Sequence, residues 1–167
     1  MCPDRKDAYY MGAQEDRPVM LRECLDALTR VSRKLRTLFN ARVTAHGLTY
    51  ARARALLRLS EGDKLGQKEL ACLLELEPAT TGQLLDRMER LDLIERVLDP
   101  GDRRAKKVVL TPYGREQAAL VARIGEEIRA EIFAGMDDEA VAGAVAFFTA
   151  LEDRVGEAGH AASAPAG

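Results

Sequence analysis

Between positions 96 and 107 the chain carries five cations, Arg96, Arg103, Arg104, Lys106 and Lys107, against two acids, Asp99 and Asp102. The whole chain has a formal charge of −2. A positive finger on a slightly acidic protein is a local electrostatic feature, suited to gripping phosphate oxygens rather than to making or breaking bonds. No Gly-rich phosphate loop, nucleophile elbow or metal triad accompanies it, so an enzymatic reading finds no footing. The acidic run Asp137, Asp138, Glu139 fits a helix N-terminus through the macrodipole. With two histidines, His46 and His160, and no metal-ligand spacing among the cysteines, neither a metal nor a cofactor is expected.

The elements around the cations say what they are for. Pro100-Gly101 suits the centre of a type II turn, because Pro presets φ and Gly accepts a positive one. Ile94–Leu98 before it and Lys106–Leu110 after it read as short strands, so the cations lie at and beside the tip of a β-hairpin. Taken alone, a charged hairpin can equally be a solvated loop without a partner. The segment in front of it changes that. Gln67–Leu74 has the apolar spacing of a short helix, with Leu70, Ala71 and Leu74 on one face. Glu75-Leu76-Glu77 breaks it, and Pro78 suits the first turn of a second helix. That helix points Leu84, Leu85, Met88 and Leu91 inward.

Two short helices joined by a three-residue break form a helix-turn-helix pattern. Its second helix offers Ala79, Thr80, Thr81, Gln83 and Arg87 outward, near the N-terminal end that enters a major groove. Thr methyls suit thymine, Gln suits adenine, and Arg suits guanine or phosphate. Gln67, opening the first helix, joins these as a candidate DNA contact. Gly82 weakens its helix by about 1 kcal/mol relative to Ala, which implies a close approach, either to the first helix or to a DNA backbone.

The stretch QKELACLLELEPATTGQLLDRMERLDLIERVLDPGDRRAKKVVLTPYGRE resembles the winged helix-turn-helix core of the MarR family of bacterial transcription regulators. The resemblance rests on the ELA helix, the TT-x-x-LLDRME recognition helix, the LIER strand, the DPxDRRAK wing and LTxxG. With LTYARARAL upstream it covers roughly residues 20 to 155. It implies a mainly α fold with a small β-wing: a winged helix-turn-helix lobe at 49–111, and dimerisation helices at 17–46 and 112–157. It also implies that Arg104 enters a minor groove, oriented by Asp102, while Arg103, Lys106 and Lys107 bind phosphates. The sequence departs from the family at Asp92, where Gly is usual. A left-handed residue is expected there, and Asp tolerates that conformation better than most.

The flanking helices read clearly. Leu21, Leu25, Leu28, Leu35 and Leu38 recur at helical spacing up to a cap at Gly47. Thr49 caps a second helix that turns Ala53, Leu56 and Leu57 inward. Thr111-Pro112 opens a helix with Leu120, Ile124, Ile128 and Ile132 in line, ended by Gly135. Asp137 or Asp138 opens the last, with Val141, Ala144, Val145, Phe148, Leu151 and Val155 on one stripe. The outer helices carry more apolar face than one lobe can cover. The resemblance implies that they pack across a two-fold axis, so the expected partners are a second copy and double-stranded DNA with a pseudo-palindromic operator.

Regulation is less legible. The resemblance implies a small aromatic or phenolic effector near the junction of the dimerisation helices and the DNA-binding lobe, where His46, Tyr50 and Arg54 fall. Each also has a plain structural reading, as a helix-end residue, a packing residue and a surface charge. Cys24 lies on the apolar stripe of the first long helix, and Cys72 on the first helix of the helix-turn-helix. Either is a candidate oxidant sensor, although a thiol on an apolar face is more often inert. Gapless alignment puts the reactive cysteine of the family's peroxide-sensing branch at Leu25, one residue past Cys24. The family's urate-responsive branch uses a Trp, and this chain has none. A reading from a different class, a winged helix that binds protein partners, leaves the basic wing without a role. Residues 1–16 read as a flexible segment and 158–167 as a disordered tail. Without a signal peptide or a membrane-length apolar run, a cytoplasmic location is expected.

Overall fold

The computed structural model describes residues 17–62, 64–98 and 106–163. The expected flexible start, the Pro100-Gly101 turn, Asp102, Arg103 and Arg104 lie outside the described residues. The chain divides into two compact units, Met1–Glu126 and Glu127–Gly167.

The first unit holds α1 (Arg17–Thr44), α2 (Tyr50–Glu61), β1 (Leu65–Gly66), α3 (Gln67–Leu74), α4 (Pro78–Arg90), β2 (Ile94–Leu98), β3 (Lys106–Leu110) and most of α5 (Pro112–Phe133). The three strands form an antiparallel sheet in the order β1-β3-β2. Ile94 lies opposite Leu110 and Leu98 opposite Lys106, which is the hairpin read from the sequence. β1 is a third strand that the sequence did not announce. With two residues, pairing Leu65 to Val108, it is too short to show alternation.

The expected punctuation is present. Gly47 takes φ +75° after α1, and the Thr49 hydroxyl accepts a hydrogen bond from the Arg52 N–H at 3.4 Å to cap α2. Pro78 opens α4. Asp92 takes φ +56°, the left-handed conformation expected of it. Beside it lies the tightest junction of the unit. The Thr111 hydroxyl donates to the Asp92 carbonyl at 2.5 Å and accepts from the Gly114 N–H at 2.9 Å. A Cβ on Gly114 would stand 1.8 Å from the Leu93 carbonyl oxygen, so only glycine fits where α5 begins against the α4–β2 turn.

The core of this unit draws on every helix and the sheet. Val43, Ala53, Leu56, Leu70, Leu74, Leu85, Met88, Ile94, Val108 and Val121 are all buried. Two expectations shift. Leu57 and Leu84 are half-buried, and Leu91 is exposed at the end of α4, while Ala55 and Leu59 join the α2 core. On α1, Met20, Leu21, Leu25, Val31 and Leu35 are exposed, so this helix presents an open apolar face in the single chain.

The second unit contains the end of α5 and α6 (Asp138–Ser163). Gly135, at φ +73°, ends α5 as read from the sequence. The Asp137 carboxylate accepts from the Ala140 N–H at 3.0 Å and so caps α6. Val145, Phe147, Phe148 and Val155 are exposed. α6 runs to Ser163, past the boundary expected at 157. Alanine, the best helix former, dominates that stretch, and no proline interrupts it before Pro165. No helix among the described residues is long and apolar enough to cross a membrane.

Candidate nucleic-acid interface

α3 and α4 are set against each other by residues at their junction. Glu75 ends α3 in the left-handed conformation, φ +55°, and its N–H reaches the Cys72 carbonyl at 3.0 Å. The Gln67 amide donates to the Pro78 carbonyl at 3.4 Å, tying the start of α3 to the start of α4. A Cβ on Gly82 would lie 3.3 Å from that same amide nitrogen. The glycine therefore serves the approach of α4 to α3, one of the two uses open from the sequence.

The outward face of α4 carries Ala79, Thr80, Gln83 and Arg87, all exposed. Thr80, Gln83, Leu84 and Arg87 line a shallow cleft of about 210 Å³ together with Thr49, Arg52 and Leu76. Thr81 does not belong to this face. It is fully buried, and its hydroxyl donates to the Glu77 carbonyl at 3.2 Å. The reason is helical geometry. Thr81 stands four residues before Leu85 and seven before Met88, on the stripe that faces the core. That spacing was available in the sequence, and the doublet Thr80-Thr81 hid it.

The wing strands are tied to both helices by ion pairs. On β2, Arg96 donates to the Asp86 carboxylate at 2.6 Å and also to the Glu89 carboxylate, both on α4. Its side chain is only 20% exposed. Burial works against its charge, but the Asp86 hydrogen bond and the attraction of Glu89 and Asp86 outweigh it, and its pKa is raised. On β3, the Lys107 ammonium sits 3.1 Å from Glu69. The same carboxylate oxygen of Glu69 accepts from the Gly66 N–H at 2.5 Å at the start of α3. Lys107 is thus turned toward α3 within the chain, whereas Lys106 is exposed. Arg96 is the residue whose position the sequence least suggested. The available signal was strand parity, since it shares a face with Ile94.

Of the residues singled out for regulation, Tyr50 and Arg54 come together. Tyr50 is half-buried, T-shaped against Phe39 with ring centroids 5.8 Å apart, and the guanidinium of Arg36 lies 4.6 Å from its ring centroid. Arg54 lies 5.8 Å from the same ring and donates to the Leu74 carbonyl at 3.2 Å, capping the C-terminal end of α3. His46 is exposed on the turn before α2. Cys24 is half-buried on α1 and Cys72 exposed on α3. Among the described residues, no group of three or more His, Cys, Asp or Glu side chains could hold a metal ion.

This arrangement of a two-helix unit followed by a β-hairpin is that of known regulators. The MarR family model matches residues 46–105. A protein of Bacillus subtilis (strain 168), described as the uncharacterized HTH-type transcriptional regulator YsmB, is 36% identical over 81 residues, 48% of this chain and 51% of that protein. The match therefore spans about half the length of that relative. The crystal structure of transcriptional regulator PA3341 superposes with a TM-score of 0.73 at 30% identity, over 79% of this chain and 97% of that one. A MarR-family transcriptional regulator from Silicibacter pomeroyi superposes with a TM-score of 0.64 at 25% identity, over 75% of this chain and 84% of that one. The fold is a winged helix-turn-helix, mainly α with a three-stranded antiparallel sheet. The chain belongs to the MarR family of transcription regulators.

Proposed function

We propose that the protein is a homodimeric repressor that binds a pseudo-palindromic site in double-stranded DNA, in the cytoplasm. One observation carries the reading: α4 is a short helix with a buried apolar stripe whose opposite face offers Ala79, Thr80, Gln83 and Arg87 to solvent. Thr, Gln and Arg at that spacing supply methyl, amide and guanidinium groups for base edges. Gln67 stands beside them at the start of α3, and the exposed Lys106, at the turn end of β3, is read as a phosphate contact. Asp102, Arg103 and Arg104 complete the reading from sequence, as a minor-groove Arg with its orienting Asp and a phosphate contact. Lys107 enters with a smaller role, because its ammonium already faces Glu69.

The exposed apolar faces of α1 and of α6 support self-association, since an isolated chain would leave them in water. Release from DNA is assigned to a small aromatic or phenolic effector near Tyr50. There an aromatic pair flanked by two guanidiniums offers stacking and charge. Such a ligand acts by binding better to a dimer whose recognition helices are spaced wrongly for DNA.

The test is fluorescence anisotropy on a duplex selected by the wild-type protein from a random pool. Arg87→Ala is expected to weaken binding about tenfold, in line with 1–3 kcal/mol for a base or phosphate contact. Unchanged affinity would remove α4 from the interface. Phenols and aromatic acids titrated into the complex should lower the anisotropy. A complex that none of them disturbs would contradict the effector class.

A further inference from the structure

Arg96 is a cation of the wing that is turned toward carboxylates of its own chain. It lies on β2, two residues before Leu98, where the strand pairing ends and the cation-rich segment begins. Its guanidinium spans two carboxylates one turn apart on α4, those of Asp86 and Glu89. A planar fork can hold two acids at once, whereas an ammonium acts as a point charge. Those two acids flank Arg87 on the helix that carries the proposed base contacts. On the other strand, Lys107 and Glu69 make a second tie, between β3 and the start of α3. The hairpin is also joined to the lobe at its base, through Leu93 and Thr111, by the pairing of β1 with β3, and by its buried Ile94, Val108 and Leu110.

We propose that Arg96 is a positioning residue for DNA binding. By clamping β2 to α4 through Asp86 and Glu89, it fixes the angle between the recognition helix and the wing, and so whether both can engage one duplex together. The inference rests on the DNA-binding reading above. It has a consequence that simple electrostatics opposes. Neutralising Asp86 and Glu89 removes negative charge from a DNA-facing helix and, by charge alone, tightens binding. If the clamp is what counts, the same change weakens it.

The experiment uses the selected duplex in two lengths, one with the base pairs flanking the half-sites and one without. Wild-type protein should bind the long duplex about tenfold more tightly, through the wing. The Asp86→Asn/Glu89→Gln double variant, which alters exposed side chains, should lose most of that gain and bind the short duplex as the wild type does. Arg96→Lys, which keeps the charge and loses the fork, should do the same. A structural defect would weaken both duplexes alike and lower the unfolding midpoint, and that result would overturn the clamp. Equal or tighter binding of the double variant to the long duplex would overturn it too. A wild-type protein indifferent to the flanks would instead remove the wing from the interface, and with it the reading on which the clamp depends.

Discussion

The helix-turn-helix with its sheet and the long helix α1 solve the same problem differently. In the former, each apolar stripe finds a partner inside the chain: Leu70, Leu74, Leu85, Met88, Ile94 and Val108 are all buried, and the hairpin is tied down by ion pairs. α1 buries Val43 near its end and leaves Met20, Leu21, Leu25, Val31 and Leu35 exposed along the rest. α6 shows the same openness at Val145, Phe148 and Val155. A region that completes itself can hold side chains in fixed positions for a rigid ligand such as a duplex. A region that does not leaves apolar surface open for a partner to cover.

The largest expected effect breaks the closed region. Gly114→Ala drives a Cβ into the Leu93 carbonyl and should destabilise the protein by about 3 kcal/mol or more, read by chemical denaturation, because backbone rather than a flexible side chain is struck. Full wild-type stability would mean that the α5 start can slide. Breaking the open region should look different. Phe148→Lys is expected to shift the sedimenting species toward the monomer at micromolar concentration, with helical content retained. An unchanged mass would take α6 out of the interface between copies.

Smaller effects sharpen the contrast between neighbours on α4. Thr81→Ala should destabilise the fold by about 1–2 kcal/mol, through a lost buried methyl and a lost hydroxyl bond, with little change in DNA affinity once folded. Thr80→Ala should do the reverse, leaving the unfolding midpoint within error and altering preference among duplexes. If both behave alike, the assignment of the two faces is wrong. The smallest effect is a gain. Asp92→Gly relieves a left-handed residue and is expected to raise stability by about 0.5–1 kcal/mol, measured as a higher unfolding midpoint.

These pairs also show what the sequence disclosed. Helix starts and stops were legible wherever one residue type has a single local use: Thr49 and Thr111 as caps, Pro78 and Pro112 at first turns, Gly47 and Gly135 at left-handed ends. The hairpin was legible because a turn signal separated two β-prone runs. What stayed hidden depends on partners distant in the chain. Arg96 counts as one more cation of the wing until α4 brings Asp86 and Glu89 to it. Lys107 counts as one more cation of the wing until Glu69 meets it, 38 residues away in sequence. Arg54 reads as a surface charge until the end of α3 supplies carbonyls. Charge run-lengths report how many cations there are, and only the fold says which of them are already engaged.

The central claim is that two copies of this chain hold one duplex through α4. The most direct measurement is the mass of the complex formed with the selected duplex, together with its hydroxyl-radical footprint. The account predicts two chains per duplex and two protected half-sites about 10 bp apart, one helical turn. One chain per duplex, or no complex even at low salt, would contradict it.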